Sequence, residues 1–115
     1  MHFQVRTDNH IENSESLTEG IRAEVEAAIS PRFDDWVRRV EVYLQDVNAG
    51  KSGLDIRCTI EASLSGHQPV AVDNLATDVD DAVTGSIDKL VHALDKVMGR
   101  LKDREGRVSM SGEET

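Results

Sequence analysis

Leu54-Asp55-Ile56-Arg57-Cys58-Thr59-Ile60-Glu61-Ala62-Ser63-Leu64 alternates apolar and polar residues without a break. Side chains on a strand point to opposite faces at successive positions, so this pattern predicts a strand with one buried and one solvated face. A sheet built from such strands is covered on one side only. The rest of the chain must therefore supply one covering layer.

Upstream, Val40, Val42 and Leu44 alternate with Arg39, Glu41, Tyr43 and Gln45, and predict a second such strand. Asn48-Ala49-Gly50-Lys51-Ser52-Gly53 is rich in turn residues and joins the two as a hairpin. Downstream, Ser65-Gly66-His67-Gln68 reads as a turn. Pro69 then opens a short further strand with Val70 and Val72 inward, a position where a missing N–H is tolerated. At the start of the chain, Phe3 and Val5 face one way and His2, Gln4 and Arg6 the other, predicting a short first strand.

Two segments carry a helical period instead. Ser16-Leu17-Thr18-Glu19 reads as a capping box, followed by Ile21, Val25, Ala28 and Ile29 on one face as far as Pro31. Phe33 and Trp36, three apart, fit one short helical turn that plugs the edge of the core. From Thr77, taken as the N-cap, Val79, Val83, Ile87, Leu90, Leu94, Val97 and Leu101 recur at steps of four and three. The predicted end lies between Asp103 and Gly106, with a disordered tail over residues 107–115. The expected fold is α+β: a two-layer β-α-β-β-β-α sandwich, a four-stranded sheet with two helices on one face, forming a single domain over residues 1–106. A second helix of about 40 Å on a body about 30 Å across must overhang the sheet.

Composition narrows the function. The 115 residues carry a net charge of −9, which opposes indiscriminate attraction to nucleic acid or an anionic membrane. Phe3, Phe33, Trp36 and Tyr43 are the whole aromatic set, too few for a stacking platform for single strands. The lone Cys58 falls on the apolar face of its strand, where a thiol is a small hydrophobe. No apolar stretch approaches the roughly 20 residues of a membrane span, and the polar N-terminus is unlike a signal peptide, so a cytoplasmic location is expected. His2, His10, His67 and His92 are scattered. Counted as a calcium loop from Asp78, the glycine and terminal glutamate positions hold Val83 and Lys89. No metal, cofactor, small-molecule substrate or catalytic residue is expected.

The order of elements and three local stretches carry a resemblance. Leu17-Thr18-Glu19-Gly20-Ile21-Arg22, Val40-Glu41-Val42-Tyr43-Leu44, and Asp78-Val79-Asp80-Asp81-Ala82-Val83 through Ile87-Asp88-Lys89-Leu90 are similar to the first helix, second strand and second-helix signature of the short ribosome hibernation-promoting factors, also known as ribosome-associated inhibitor A or sigma-factor modulation proteins. The resemblance spans about residues 3–103. It implies a fold like the double-stranded-RNA-binding domain. It also implies a non-catalytic role: silencing ribosomes under stress by occupying the small subunit, on its rRNA and proteins, where messenger and transfer RNA would lie. Asp80 stands where the family signature has Tyr, and Thr84 where it has Asp or Asn.

Family members carry cations along both helices; here they are unevenly placed. Residues 12–26 hold five glutamates against Arg22, and residues 77–96 hold five aspartates against Lys89 and Lys96. Only residues 97–107 are net basic, with Arg100, Lys102, Arg104 and Arg107 against Asp103 and Glu105. These seven cations are the candidate rRNA contacts. Arg39 and Arg57 are expected to pair across strands with Glu41, Asp55 and Glu61 on the open sheet face rather than to join Arg38 in a basic patch. The acidic helix faces leave a second reading: a relative that has lost rRNA binding and engages a basic protein partner instead.

Overall fold

The computed structural model describes residues 1–47 and 55–110, with side chains through Leu101. The elements run β1 (His2–Thr7), α1 (Glu15–Ile29), β2 (Val37–Asp46), β3 (Ile56–Leu64), β4 (His67–Ala76) and α2 (Val79–Met110), the expected order. The sheet order is β1-β2-β3-β4. β1 and β2 pair in parallel, as a crossover through α1 requires, and the other two pairings are antiparallel. The hairpin loop expected at Asn48–Gly53, like Leu54, falls outside the described residues.

The alternation at β3 is obeyed at every described position: Ile56, Cys58, Ile60, Ala62 and Leu64 are buried. They meet Val40, Val42 and Leu44 of β2, and both helices close over them with Ile21, Val25 and Ile29 from α1 and Val83, Ile87, Leu90 and Leu94 from α2. Phe33 is fully buried in the turn after α1, whose amides of Trp36 and Val37 donate back to its carbonyl, so this turn does plug the core edge.

Four local readings are corrected. The cap of α1 is Ser14, not Ser16. Its backbone is extended, and its Oγ accepts from the Leu17 amide at 3.1 Å, which puts Leu17 where a capping box would need Glu. For α2, the carboxylate of Asp78 rather than Thr77 accepts the Asp81 amide at 2.8 Å. The β3–β4 turn is only Ser65-Gly66, since Leu64 pairs with His67 and Gly66 takes φ +71°, a conformation that favours glycine. β4 therefore starts before Pro69. Gln68 and Pro69 together stand opposite Ser63, so the proline sits in a bulge of an edge strand, where no ladder bond is forfeited. Finally, α2 continues to Met110 rather than ending by Gly106, because one interior glycine costs a helix only about 1 kcal/mol. Residues 107–110, expected in the disordered tail, are thus helical, and 111–115 lie outside the described residues. The overhang stretches the molecule to 58 × 26 × 19 Å, with a radius of gyration of 16.8 Å against about 13 Å for a compact chain of similar length.

Candidate nucleic-acid interface

The side of α2 toward β4 is seated by small residues. Ala82 and Ser86 are buried, and Ser86 Oγ donates to the Cys58 carbonyl at 2.7 Å. Gly85 lies so near Asn74 of β4 that a Cβ there would stand 2.1 Å from the amide nitrogen Nδ2. The same nitrogen reaches the Asp81 carbonyl at 3.5 Å. This junction was not anticipated from the sequence, although its signal is present: small residues at Ala82, Gly85 and Ser86, spaced to share a helix face.

One turn beyond that seat, Lys89 extends over the edge of the sheet and its Nζ donates to the Asp73 carbonyl at 2.9 Å. Asp73 belongs to an edge strand, where a lysine guards against unwanted strand pairing. At 100° per residue, Lys89, Lys96 and Arg100 fall within about 40° of one another around the helix. All three are exposed. No hydrogen bond or ion pair engages Lys96 or Arg100 among the described residues. Asp81, Asp88 and Asp95 repeat every seven residues and occupy the neighbouring stripe, about 100° away. Asp95 is bound by Arg32, whose guanidinium also lies 4.7 Å from the Phe33 ring centroid. The carboxylate preceding Lys96 is therefore engaged by Arg32.

Arg22 is placed apart from this stripe. Its guanidinium stacks over Phe3 at 5.4 Å and lies 3.9 Å from Glu26. The side chain is committed to the first helix and the core edge. Lys102, Arg104 and Arg107 lie outside the residues whose side chains are described. Of the seven candidates, the structure brings Lys89, Lys96 and Arg100 together.

On the open sheet face, Arg39 pairs with Glu41, two residues along its own strand rather than across strands. Arg57 meets Asp73 of β4 at 3.7 Å, a partner different from the neighbours anticipated on β3 and β2. Arg38 is the bulge residue of β2, where the register with β3 shifts. Arg6 stacks over Tyr43 at 5.3 Å. These contacts engage the heads of Arg6, Arg39 and Arg57 within the face and leave its charge mixed.

Two further groups are structural. Burial pushes the Cys58 thiol up to about 11, so it is neutral at physiological pH. Burial also works to raise the Asp8 carboxyl, but the amides of Asp46 and His10 donate to it and hold it below the ordinary aspartate value. Asp8 thereby ties the end of β1 to the end of β2. Among the described residues no group of His, Cys, Asp and Glu could hold a metal ion, and no helix is long and apolar enough to cross a membrane.

A shallow groove of about 220 Å³ separates the N-terminal halves of the two helices, with Leu17, Ile21 and Glu24 on one side and Val79, Asp80 and Val83 on the other. Thr84 Oγ1 donates to Glu24 Oε2 at 3.3 Å just beyond it. The two sides of α2 thus differ in packing and in charge.

The architecture defines a class: a 1-2-3-4 mixed sheet under two helices. It recurs in the solved structure of a ribosomal subunit interface protein from Coxiella burnetii, with a TM-score of 0.72, 17% identity, and coverage of 86% of this chain and 99% of that one. The N-terminal domain of Protein Y from Thermus thermophilus is similar at 0.69 and 20% identity, covering 84% of this chain and 99% of that one. These likenesses are of fold. The sequence pattern of the family described as Sigma 54 modulation protein / S30EA ribosomal protein matches residues 4–105, and the chain belongs to that family. No curated protein resembles the chain in sequence closely enough to count as a match.

Proposed function

We propose that this protein is a cytoplasmic, ribosome-associated translation inhibitor of the hibernation type. It binds the small subunit and blocks the path of messenger and transfer RNA by occupancy, with no catalytic step. Family membership supports ribosome association, and the observation that carries the rRNA contact is the alignment of Lys89, Lys96 and Arg100 on one exposed stripe of α2. A rigid helix presenting cations at intervals of one to two turns matches a phosphate backbone rather than a base sequence, so recognition is of shape and charge. Arg104, Arg107 and Lys102 follow in sequence.

The test is co-sedimentation of the purified protein with small ribosomal subunits across a salt series. Three phosphate contacts give a fall in log K against log salt of about 2–3. The second reading, a relative that engages a basic protein and no longer binds rRNA, is favoured by the commitment of Arg22 to Phe3 and Glu26. It requires no co-sedimentation even at low salt.

A further inference from the structure

The groove between α1 and α2 lies on the opposite side of α2 from the cationic stripe, and its chemistry is opposite. Ile21 and Val83 form a buried apolar floor. Leu17 and Val79 stand half-buried at its mouth. Gly20 leaves a gap in the α1 wall, where an added Cβ would meet nothing within 4 Å. Glu24 and Asp80 rise from the two rims, and no lysine or arginine lines the groove. The Thr84 hydroxyl occupies one Glu24 oxygen only, and a carboxylate has acceptor capacity to spare. Glu15, Glu19, Asp78 and Asp81 on the same ends of the helices are exposed and deepen the negative potential.

We infer that this groove docks a short basic segment of a protein partner, in which one aliphatic side chain enters the gap beside Gly20 and flanking lysines or arginines meet Glu24 and Asp80. The apolar floor calls for an apolar anchor, and the uniformly acidic rim selects its neighbours and rejects acidic segments. A second copy of this chain has one basic segment to offer, residues 97–107, and a groove filled by it would show as self-association of the free chain. The inference does not depend on rRNA binding, since none of the residues involved belongs to the Lys89–Arg100 stripe.

The probe is a fluorescein-labelled peptide with a central leucine pair flanked by lysines, titrated with the full chain at low ionic strength and read by anisotropy. Saturable binding is expected. Gly20→Leu fills the gap with the charge unchanged, and should weaken binding by tenfold or more, the scale of one displaced leucine anchor (about 1.5–3 kcal/mol). Replacing the peptide leucines with serine should have a similar effect, and Glu24→Gln with Asp80→Asn should weaken binding about tenfold. Leucine is a better helix former than glycine, so Gly20→Leu should fold, which a thermal melt verifies. If it does not fold, the serine peptide and the Glu24→Gln/Asp80→Asn variant decide. Three results overturn the inference: no saturable binding; binding insensitive to both the leucines and Gly20→Leu, which is charge attraction alone; or self-association of the free chain that Gly20→Leu abolishes, which assigns the groove to a second copy.

Discussion

The two sides of α2 are built by opposite rules. Toward β4 the helix is pressed down: Ala82, Gly85 and Ser86 admit the strand, Asn74 fills the space beside Gly85, and Lys89 closes the sheet edge. Toward α1 the helix stands off, leaving a groove with Gly20 in open space and carboxylates on both rims. The tight side carries the exposed cations of the helix, the loose side carries Asp80, and Asp81, Asp88 and Asp95 run between them. A net charge of −9 thus describes neither side. What a charged macromolecule meets is a stripe about one side chain wide, and at physiological salt a screening length near 8 Å lets adjacent stripes act separately.

The two glycines offer the sharpest way to break this comparison. Gly85→Ala places a methyl where the Asn74 amide sits, so Asn74 must turn away and give up its approach to the Asp81 carbonyl. A loss of about 1–2 kcal/mol is expected in denaturant melts, and Asn74→Ala should relieve part of it in a double-mutant cycle. The same substitution at Gly20 meets nothing, and alanine is the better helix former. Gly20→Ala should therefore stabilise by about 0.5–1 kcal/mol. Equal effects at the two sites would mean that the sides are packed alike.

A smaller effect sits at the far end of the sheet. Asp8 titrates below its ordinary value in the folded state because backbone amides bind its charged form. A depressed carboxyl contributes stability above its unfolded value, near 4, and loses it as pH falls through the lower folded value. Asp8→Asn should accordingly lower stability at pH 7, because one of the two amides then faces Nδ2, and the gap from the wild type should close as pH falls below about 4. An acid limb identical to that of the wild type would remove Asp8 from this role.

Much of the fold was legible because its signals are periodic. The unbroken alternation around Cys58 and the four-and-three recurrence from Val79 each state a period and a buried face, and they fix the layers. Caps and turns were read less well. Ser14 and Ser16 are both acceptable caps, and only the backbone angles at Ser14 separate them. Pro69 reads as a strand opener until the register shows two residues opposite Ser63. The candidate site was half legible. Charge counting along the chain places the basic residues at the distal end of α2, yet Lys89, Lys96 and Arg100 align only when positions are wound around a helix. The partner that engages Asp95 beside that stripe is Arg32, which lies 63 residues away in the chain. Arg22 has the same charge as the others and a different fate, because Phe3 stands beneath it.

The central claim is that the cationic stripe of α2, and not the protein's overall charge, meets rRNA. Its most direct test compares the salt dependence of co-sedimentation with small ribosomal subunits for the wild type and for Lys96→Ala with Arg100→Ala. Removing two phosphate contacts should lower the slope of log K against log salt by about 2 and weaken binding at low salt by tenfold or more. An unchanged slope with unchanged binding would contradict the account and move the ribosome contact to another surface.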